Sequence, residues 1–277
     1  MSDLLFMLSL PPILRGLAAM TMAGVVFPAT GVMVLRMGLV PMRYMLMHGV
    51  ILGGALALAL SLPMFPVVAV LNLALVLLMV YLSERRQVDL GMASAALMVF
   101  TMGMASLLMH IWDVPAKDTL ELMWGSPFAL IRSDLVVLGV LTALVILYVV
   151  FNFRAITTVF FDREIARSLG VNVRLHHTVM VVLVALVVAV AMKLLGALLI
   201  DALLILPVLI ASRRATSMKQ VFAGSIMSGA FLSLMGYIGS VWLDLPVSGT
   251  ISVLAVLLFI CVSIFSWIQT RRRNHVN

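Results

Sequence analysis

The chain has 277 residues, of which 64% are hydrophobic and only 10% are charged. Because a soluble domain carries about 25% charged residues, this composition excludes a water-soluble protein and indicates an integral membrane protein. The net charge of +7 does not indicate a nucleic-acid partner, since the basic residues lie between apolar runs, where they determine membrane topology.

The apolar runs are long enough to cross a bilayer as helices, which takes about 20 residues each. The pattern predicts nine spans, at residues 14–36, 44–62, 65–83, 91–111, 133–153, 176–193, 195–212, 219–241 and 249–270. These runs are continuous, unlike the alternating segments of about ten residues in a transmembrane β-barrel. We therefore predict an all-α polytopic membrane protein with eight to nine transmembrane helices, forming one transmembrane domain over residues 1–277.

Basic residues mark alternate connections between the predicted spans. They are Arg36, Arg43, Arg85, Arg86, Arg154, Arg163, Arg167, Arg174, Arg213, Arg214, Lys219 and Arg271, Arg272 and Arg273. Loops rich in lysine and arginine face the cytoplasm. The pattern predicts a multi-pass protein of the cell (inner) membrane with its N-terminus outside and its C-terminus in the cytoplasm.

The second predicted span opens with a group of polar and sulfur-containing residues, Arg43-Tyr44-Met45-Leu46-Met47-His48. A histidine inside a span is a candidate contact for a transported solute. Methionine is a soft ligand that favours copper(I), although it mostly serves as packing material. As an alternative, His48 lies only about 7.5 Å of helix beyond Arg43 and could be an interfacial residue bonded to a backbone carbonyl.

The longest connection predicted to be cytoplasmic contains a short helix at about residues 160–171. Asp162 can cap its start, and Gly170 suits a left-handed end. Ile165 and Leu169 share one face of such a helix and could anchor it in a groove of a partner; an ordinary interfacial linker is the alternative. The residues concerned are Asp162, Arg163, Glu164, Ile165, Ala166, Arg167, Leu169 and Gly170.

Asp201 lies within the apolar run of the seventh span, Leu194 to Pro207. An acid at a helix centre in lipid costs roughly 2.5–3.5 kcal/mol, so such residues usually face a protein interior or a watery path. We expect Asp201 to line a substrate path, nearer to the middle of the membrane than His48.

Several blocks of this sequence resemble the permeases of metal-type ABC importers, which transport zinc, manganese or iron. Asp162 to Val173 resembles the family's coupling region, D-x-E-x-A-x-x-x-G-V-x-V, and Lys193 to Ala211 resembles its apolar block ending in A-L-L-I-L-P-A-x-x-A. Asp244 to Ile251 and Gly125-Ser126 resemble two outer-loop segments. The blocks come in the family's order and cover most of the chain.

The resemblance implies partner subunits and separate subunits for transport and for ATP hydrolysis. Such permeases form homodimers or heterodimers, bind two cytoplasmic ABC ATPase subunits at the coupling helix, and receive substrate from an extracytoplasmic binding protein. ATP and Mg²⁺ bind to the ATPase subunits. In agreement, this chain has no G-x-x-x-x-G-K-[ST] phosphate-binding motif, and we predict a transport subunit that is not an enzyme and has no cofactor of its own.

The resemblance fails at the family's second-span motif, G-D-A-x-S-H-A. His48 matches the histidine, but Tyr44 stands at the aspartate position and Met47 at the serine position. The path could still carry zinc, manganese or iron through His48, Asp201 and Met45 or Met47. A partner protomer could instead supply the missing carboxylate.

In a third possibility, Tyr44, His48 and Asp201 hydrogen-bond an organic solute. We predict an ATPase-driven, alternating-access permease for a metal ion. A permease for an organic solute is the alternative, and an ion-coupled secondary transporter that uses Asp201 as a proton site is a further one.

Overall fold

The computed structural model describes residues 10–86, 88–114 and 127–274. Within these ranges the chain is helical, with one 3-10 turn at Pro127–Ala129 and no strand. The helices are α1 (Pro11–Arg36), α2 (Val40–Ala59), α3 (Met64–Arg86), α4 (Leu90–Ile111), α5 (Arg132–Phe151), α6 (Phe153–Phe161), α7 (Arg163–Ser168), α8 (Val173–Leu195), α9 (Ala197–Ser212), α10 (Met218–Leu243) and α11 (Val247–Asn274).

Eight of these helices are long and apolar enough to cross a membrane, and α9 is apolar but shorter. The predicted all-α fold with eight to nine transmembrane helices is thus confirmed. The largest differences from the predicted bounds are four residues: α11 ends at Asn274, later than expected, and α2 begins earlier than expected, at Val40. Pro41 explains this start, because its fixed φ and missing N–H suit the first turn of a helix.

Helices α8 and α9 are separated by a single residue, Gly196. Its backbone has φ +87° and ψ 155°, a combination that only glycine adopts readily. The apolar run from Val173 to Ser212 therefore forms two helices instead of one.

The chain divides into two compact units. Among the described residues, the first unit takes residues 10–32, 127–143 and 198–274, and the second unit takes 33–86, 88–114 and 144–197. Each unit has its own buried core, which includes Phe27 in the first and Leu46 in the second. The single permease domain expected over residues 1–277 stays a prediction.

In the first unit, residues of α1 approach α9 and α10 through glycines. A Cβ atom at Gly24 would meet the Ser233 hydroxyl and lie 2.8 Å from the Ala230 Cα, and one at Gly31 would meet the Leu204 carbonyl oxygen. Small residues allow spanning helices to approach this closely. The Tyr237 hydroxyl also donates a hydrogen bond to the Ile13 carbonyl at 2.9 Å.

In the second unit, α2 packs against α3 and α4, and α8 packs against α2 and α3. Glycines again mark the close contact: a Cβ at Gly49 would meet Asn72, and one at Gly53 would lie 3.0 Å from the Val68 Cα. The core of this unit therefore lies around α2, the helix that carries His48.

Candidate functional site

His48 lies near the middle of α2, eight residues after the first residue of that helix, Val40. At 1.5 Å per residue this is about 12 Å from the start of the helix. The side chain is half-buried. His48 therefore lies about two helical turns after the start of α2, and its role as a contact in the substrate path stays a prediction.

Tyr44 lies one turn before His48, on the same face of α2, and is 40% exposed. Its neighbour Arg43 is buried in the first turn of the helix instead of lying in a connection, and the guanidinium carbon is 4.4 Å from the centroid of the Tyr44 ring. A cation over the face of an aromatic ring is attracted by the ring electrons. The position of the family's carboxylate is thus occupied by an aromatic ring that faces a positive charge.

The two methionines beside His48 differ in environment. Met45 has no exposed surface, whereas Met47 is half-buried. Full enclosure inside the unit favours packing for Met45, the usual role of methionine. Its role as a ligand in the substrate path stays a prediction, as does that of Met47.

Sequence reasoning did not single out Asn72, a lone amide in the apolar run of α3. The side chain is only 2% exposed, and within the described ranges neither of its amide atoms has a hydrogen-bond partner. It packs against Gly49, the residue after His48, and borders a cavity of about 80 Å³ between α3 and α8. The available signal was its polarity within a span, which marks functional positions in membrane proteins.

Asp201 is half-buried and is the fifth residue of α9, counted from Ala197. It therefore lies just beyond the first turn of the helix, which contains no acidic residue. The expectation that Asp201 lies nearer to the middle of the membrane than His48 stays a prediction. His48 belongs to the second unit and Asp201 to the first.

The described residues contain no group of three or more His, Cys, Asp or Glu side chains that could hold a metal ion. Zinc sites in proteins use three or four such ligands. The part of the chain that the structure describes therefore does not contain a complete tight-binding metal site.

The predicted coupling helix is present as α7. One carboxylate oxygen of Asp162 accepts hydrogen bonds from the backbone N–H groups of Glu164 at 2.7 Å and Ile165 at 2.9 Å. This is the N-terminal cap expected from the sequence. Ala166 is buried, whereas the apolar side chains of Ile165 and Leu169 are 45% and 68% exposed.

The end of α7 is fixed by backbone hydrogen bonds around Gly170. Gly170 has φ +78°, its N–H donates to the Arg167 carbonyl at 3.0 Å, and the Val171 N–H donates to the Ala166 carbonyl at 3.0 Å. This is the Schellman arrangement, in which a left-handed glycine ends a helix. The helix thus presents two exposed apolar side chains, Ile165 and Leu169, and its role in coupling stays a prediction.

Two predicted outer-loop segments resemble the family, and the structure describes one of them. Gly125 and Ser126 lie outside the described residues. Asp244, with φ 52°, ends α10, and α11 begins at Val247.

Comparison with known proteins then identifies the family. The sequence model of the ABC 3 transport family matches residues 9–266. The chain belongs to this family. The family supplies membrane transport subunits, so this chain is a permease and not an enzyme, as the sequence predicted.

Individual relatives agree with this assignment. The manganese import system permease protein ScaB of Streptococcus pneumoniae is 30% identical over 259 residues, which cover 91% of this chain and 89% of that protein. The high-affinity zinc uptake system membrane protein ZnuB of Haemophilus influenzae is 24% identical over 215 residues, 78% of this chain and 82% of that protein.

A solved structure shares the fold. PsaBC from Streptococcus pneumoniae in complex with Fab matches with a TM-score of 0.79 at 22% identity, covering 94% of this chain and 94% of that chain. The ABC importer permease fold predicted from the sequence is therefore confirmed.

Proposed function

We propose that this permease carries a divalent transition metal ion into the cell as part of an ABC importer. The observation that carries the proposal is His48, which lies at the middle of a spanning helix and matches the family's histidine. The relatives named as manganese and zinc permeases support a metal cargo over an organic solute or a proton-coupled mechanism.

Ligand chemistry favours zinc or iron over manganese for this chain. Imidazole suits zinc and iron, whereas manganese prefers carboxylate, carbonyl and water oxygens. Tyr44 replaces the carboxylate that would accompany His48 in the family motif. A path with the imidazole and without that carboxylate is therefore better suited to zinc or iron.

We propose that the remaining ligands come from a second protomer and from water held on the ion. Two copies of this chain would bring two His48 side chains to one path. A transported ion must also leave its site, so an incomplete, weak ligand set suits a path better than a closed structural site does. Asp201, near the start of α9, would meet the ion at a different level.

The test is uptake of labelled zinc and manganese by the permease reconstituted with its ATPase and its binding protein. His48→Ala should reduce zinc uptake at least about tenfold, the scale of losses at metal sites. His110→Ala is the matched control, since His110 lies exposed at the end of α4.

A second variant tests the proposed preference for zinc or iron. Tyr44→Asp restores the family pair and should raise manganese uptake relative to zinc uptake, whereas Tyr44→Phe should not. Unchanged zinc uptake in His48→Ala would place the path elsewhere. If the wild type carried no metal while the loaded binding protein still stimulated its ATPase, the result would favour the alternative of an organic solute.

We further propose that α7 docks on a cytoplasmic ATPase subunit, so that a permease dimer binds two such subunits, which bind ATP and Mg²⁺. Exposed apolar side chains at Ile165 and Leu169 are suited to a hydrophobic groove on a partner. This assignment places α7 and the C-terminus in the cytoplasm and the N-terminus outside, as the basic connections indicate.

The coupling proposal is tested by co-purification with the ATPase. Ile165→Asp with Leu169→Asp should abolish it, because two charges would enter an apolar contact. Leu175→Asp is the control, since Leu175 is equally apolar and exposed but lies in α8. If the double variant kept the ATPase, or if α7 proved accessible only from outside intact cells, the assignment would be wrong.

A further inference from the structure

In the second unit, the last turn of α5 and the first turn of α8 are joined by two side chains. The Tyr148 hydroxyl oxygen and the His176 Nδ1 atom form a hydrogen bond of 2.9 Å, and the hydroxyl oxygen lies 3.5 Å from the His176 carbonyl oxygen. The two ring centroids are 6.2 Å apart. Both side chains are half-buried, and a hydrogen bond that is partly shielded from water is stronger than one in bulk solvent.

The Tyr148–His176 pair encloses one continuous piece of the chain, residues 152–172, which we call the α6–α7 segment. Helices α6 and α7 contact each other, and both contact α8. Tyr148 lies four residues before this segment and His176 lies four residues after it. The hydrogen bond of the pair therefore joins the two ends of the segment that carries the proposed coupling helix.

Short hydrogen bonds connect each member of the pair to the nearer end of the α6–α7 segment. The Tyr148 carbonyl accepts from the backbone N–H of Asn152 at 3.0 Å and from the side-chain amide of Asn152 at 3.1 Å. The His176 N–H donates to the Asn172 carbonyl at 3.1 Å, and the Asn172 side chain accepts from the Leu175 N–H at 3.1 Å. Each end of the segment is therefore anchored to one residue of the pair.

We propose that Tyr148 and His176 are positioning residues for transport, which hold the two ends of the α6–α7 segment together. A force applied to α7 would then move the end of α5 and the start of α8 as one body. This inference rests on the proposed docking of the ATPase at α7. Helix α7 has only six residues, so the chain alone leaves it free to turn about its flanking bonds, whereas a hydrogen bond between the two ends of the segment restricts that freedom.

A pair that only stabilised the fold would behave differently from a positioning pair. Its loss would lower the thermal stability and would reduce ATP hydrolysis and uptake in the same proportion. Loss of a positioning pair lowers the number of metal ions carried per ATP hydrolysed, because the ATPase still docks at α7 but its movement reaches the spanning helices less completely. The ratio of uptake to ATP hydrolysis is therefore the measurement that separates the two roles.

The experiment measures uptake of labelled zinc and manganese together with ATP hydrolysis, in the permease reconstituted with its ATPase and its binding protein. Tyr148→Phe and His176→Leu each remove the hydrogen bond and should lower the uptake per ATP about fivefold, the factor that one net hydrogen bond contributes to an equilibrium. His176→Asn keeps an acceptor on the same side-chain carbon as Nδ1 and should retain most of the ratio. Tyr81→Phe, at an exposed tyrosine, is the matched control.

Two further measurements keep the test valid if a variant is less stable than the wild type. The double variant Tyr148→Phe with His176→Leu should lower the ratio no further than either single variant, because both changes remove the same hydrogen bond. Hydrogen exchange of the isolated permease in nanodiscs requires neither the ATPase nor a cargo. In Tyr148→Phe, exchange over residues 152–172 should be about fivefold faster, with unchanged exchange in α10.

Three results would overturn the proposal. Unchanged exchange over residues 152–172 in Tyr148→Phe would show that the pair does not hold the α6–α7 segment. Faster exchange with an unchanged ratio of uptake to ATP hydrolysis would show that holding the segment does not serve transport. Equal losses for His176→Asn and His176→Leu would show that the hydrogen bond is not the feature that matters.

Failure of the proposed docking at α7 gives a different result. In that case Ile165→Asp with Leu169→Asp would keep the ATPase, while exchange over residues 152–172 would still be faster in Tyr148→Phe. The two failures are therefore distinguishable.

Discussion

Two contacts between helices, one in each unit, are both formed at a glycine. In the first unit α1 meets α10 at Gly24, and in the second unit α2 meets α3 at Gly49. At Gly24 the missing side chain lets two backbones approach closely, whereas at Gly49 it leaves room for the side chain of Asn72. The polar groups beside the two contacts, however, differ in their hydrogen bonding.

Beside the α1–α10 contact, the hydroxyl groups have partners. Ser233 donates to the Ala230 carbonyl at 3.1 Å and Tyr237 donates to the Ile13 carbonyl at 2.9 Å. Beside the α2–α3 contact, the buried amide of Asn72 has no partner among the described residues, and the next residue after His48 is the glycine it touches. The hydrogen bonds beside the first contact therefore stabilise the first unit. Beside the second contact, the Asn72 amide is left able to form hydrogen bonds within the membrane.

The largest expected effect comes from filling the first contact. Gly24→Leu would drive a side chain into the backbone of α10, which cannot shift as a flexible side chain could, and should destabilise the unit by about 3 kcal/mol. Gly103→Leu is the control, because a Cβ at Gly103 meets nothing within 4 Å. Thermal unfolding in detergent measures both, and similar midpoints would show that the α1–α10 contact is not closely packed.

A smaller and opposite effect is expected at the second contact. Asn72→Leu removes an unsatisfied buried amide and should raise stability by about 1–3 kcal/mol while lowering metal uptake. Asn152→Leu is the comparison, because the Asn152 amide donates to the Tyr148 carbonyl at 3.1 Å. Unchanged uptake in Asn72→Leu would assign the amide to packing alone.

The smallest effect should come from one hydrogen bond in the first unit. Tyr237→Phe keeps the ring, whose centroid lies 5.7 Å from that of Phe128, but leaves the Ile13 carbonyl without its donor. We expect a loss of about 1 kcal/mol in the free energy of unfolding, with metal uptake intact. Tyr81→Phe, at an exposed tyrosine, should change neither the free energy of unfolding nor metal uptake. A fall in metal uptake for Tyr237→Phe would mean that this contact also serves transport.

The sequence predicted best those features that depend on neighbouring residues. Helix α7 follows from Asp162 at its start and Gly170 at its end, which belong to one short stretch of the chain, and both caps have the expected hydrogen bonds. The apolar runs likewise predicted the spans, because a helix in lipid must satisfy all its own backbone hydrogen bonds.

Predictions that depended on exact helix bounds or on distant contacts were less successful. His48 lies deeper in its helix than expected because α2 begins at Val40, where Pro41 favours a first turn. Asn72 was overlooked because its burial depends on the approach of Gly49 from another helix. Arg43 was assigned to a connection, yet it is buried over the ring of Tyr44.

The amino-acid sequence by itself determined the membrane class, the apolar spanning helices, the capped helix α7 and the family, since hydrophobicity, caps and motifs are local properties of the chain. Only the tertiary structure decided that Asn72 is buried against Gly49, that Arg43 faces Tyr44, and that Tyr148 is hydrogen-bonded to His176. Those arrangements arise when helices distant in the sequence pack together, and packing depends on shapes and charges that no single segment contains.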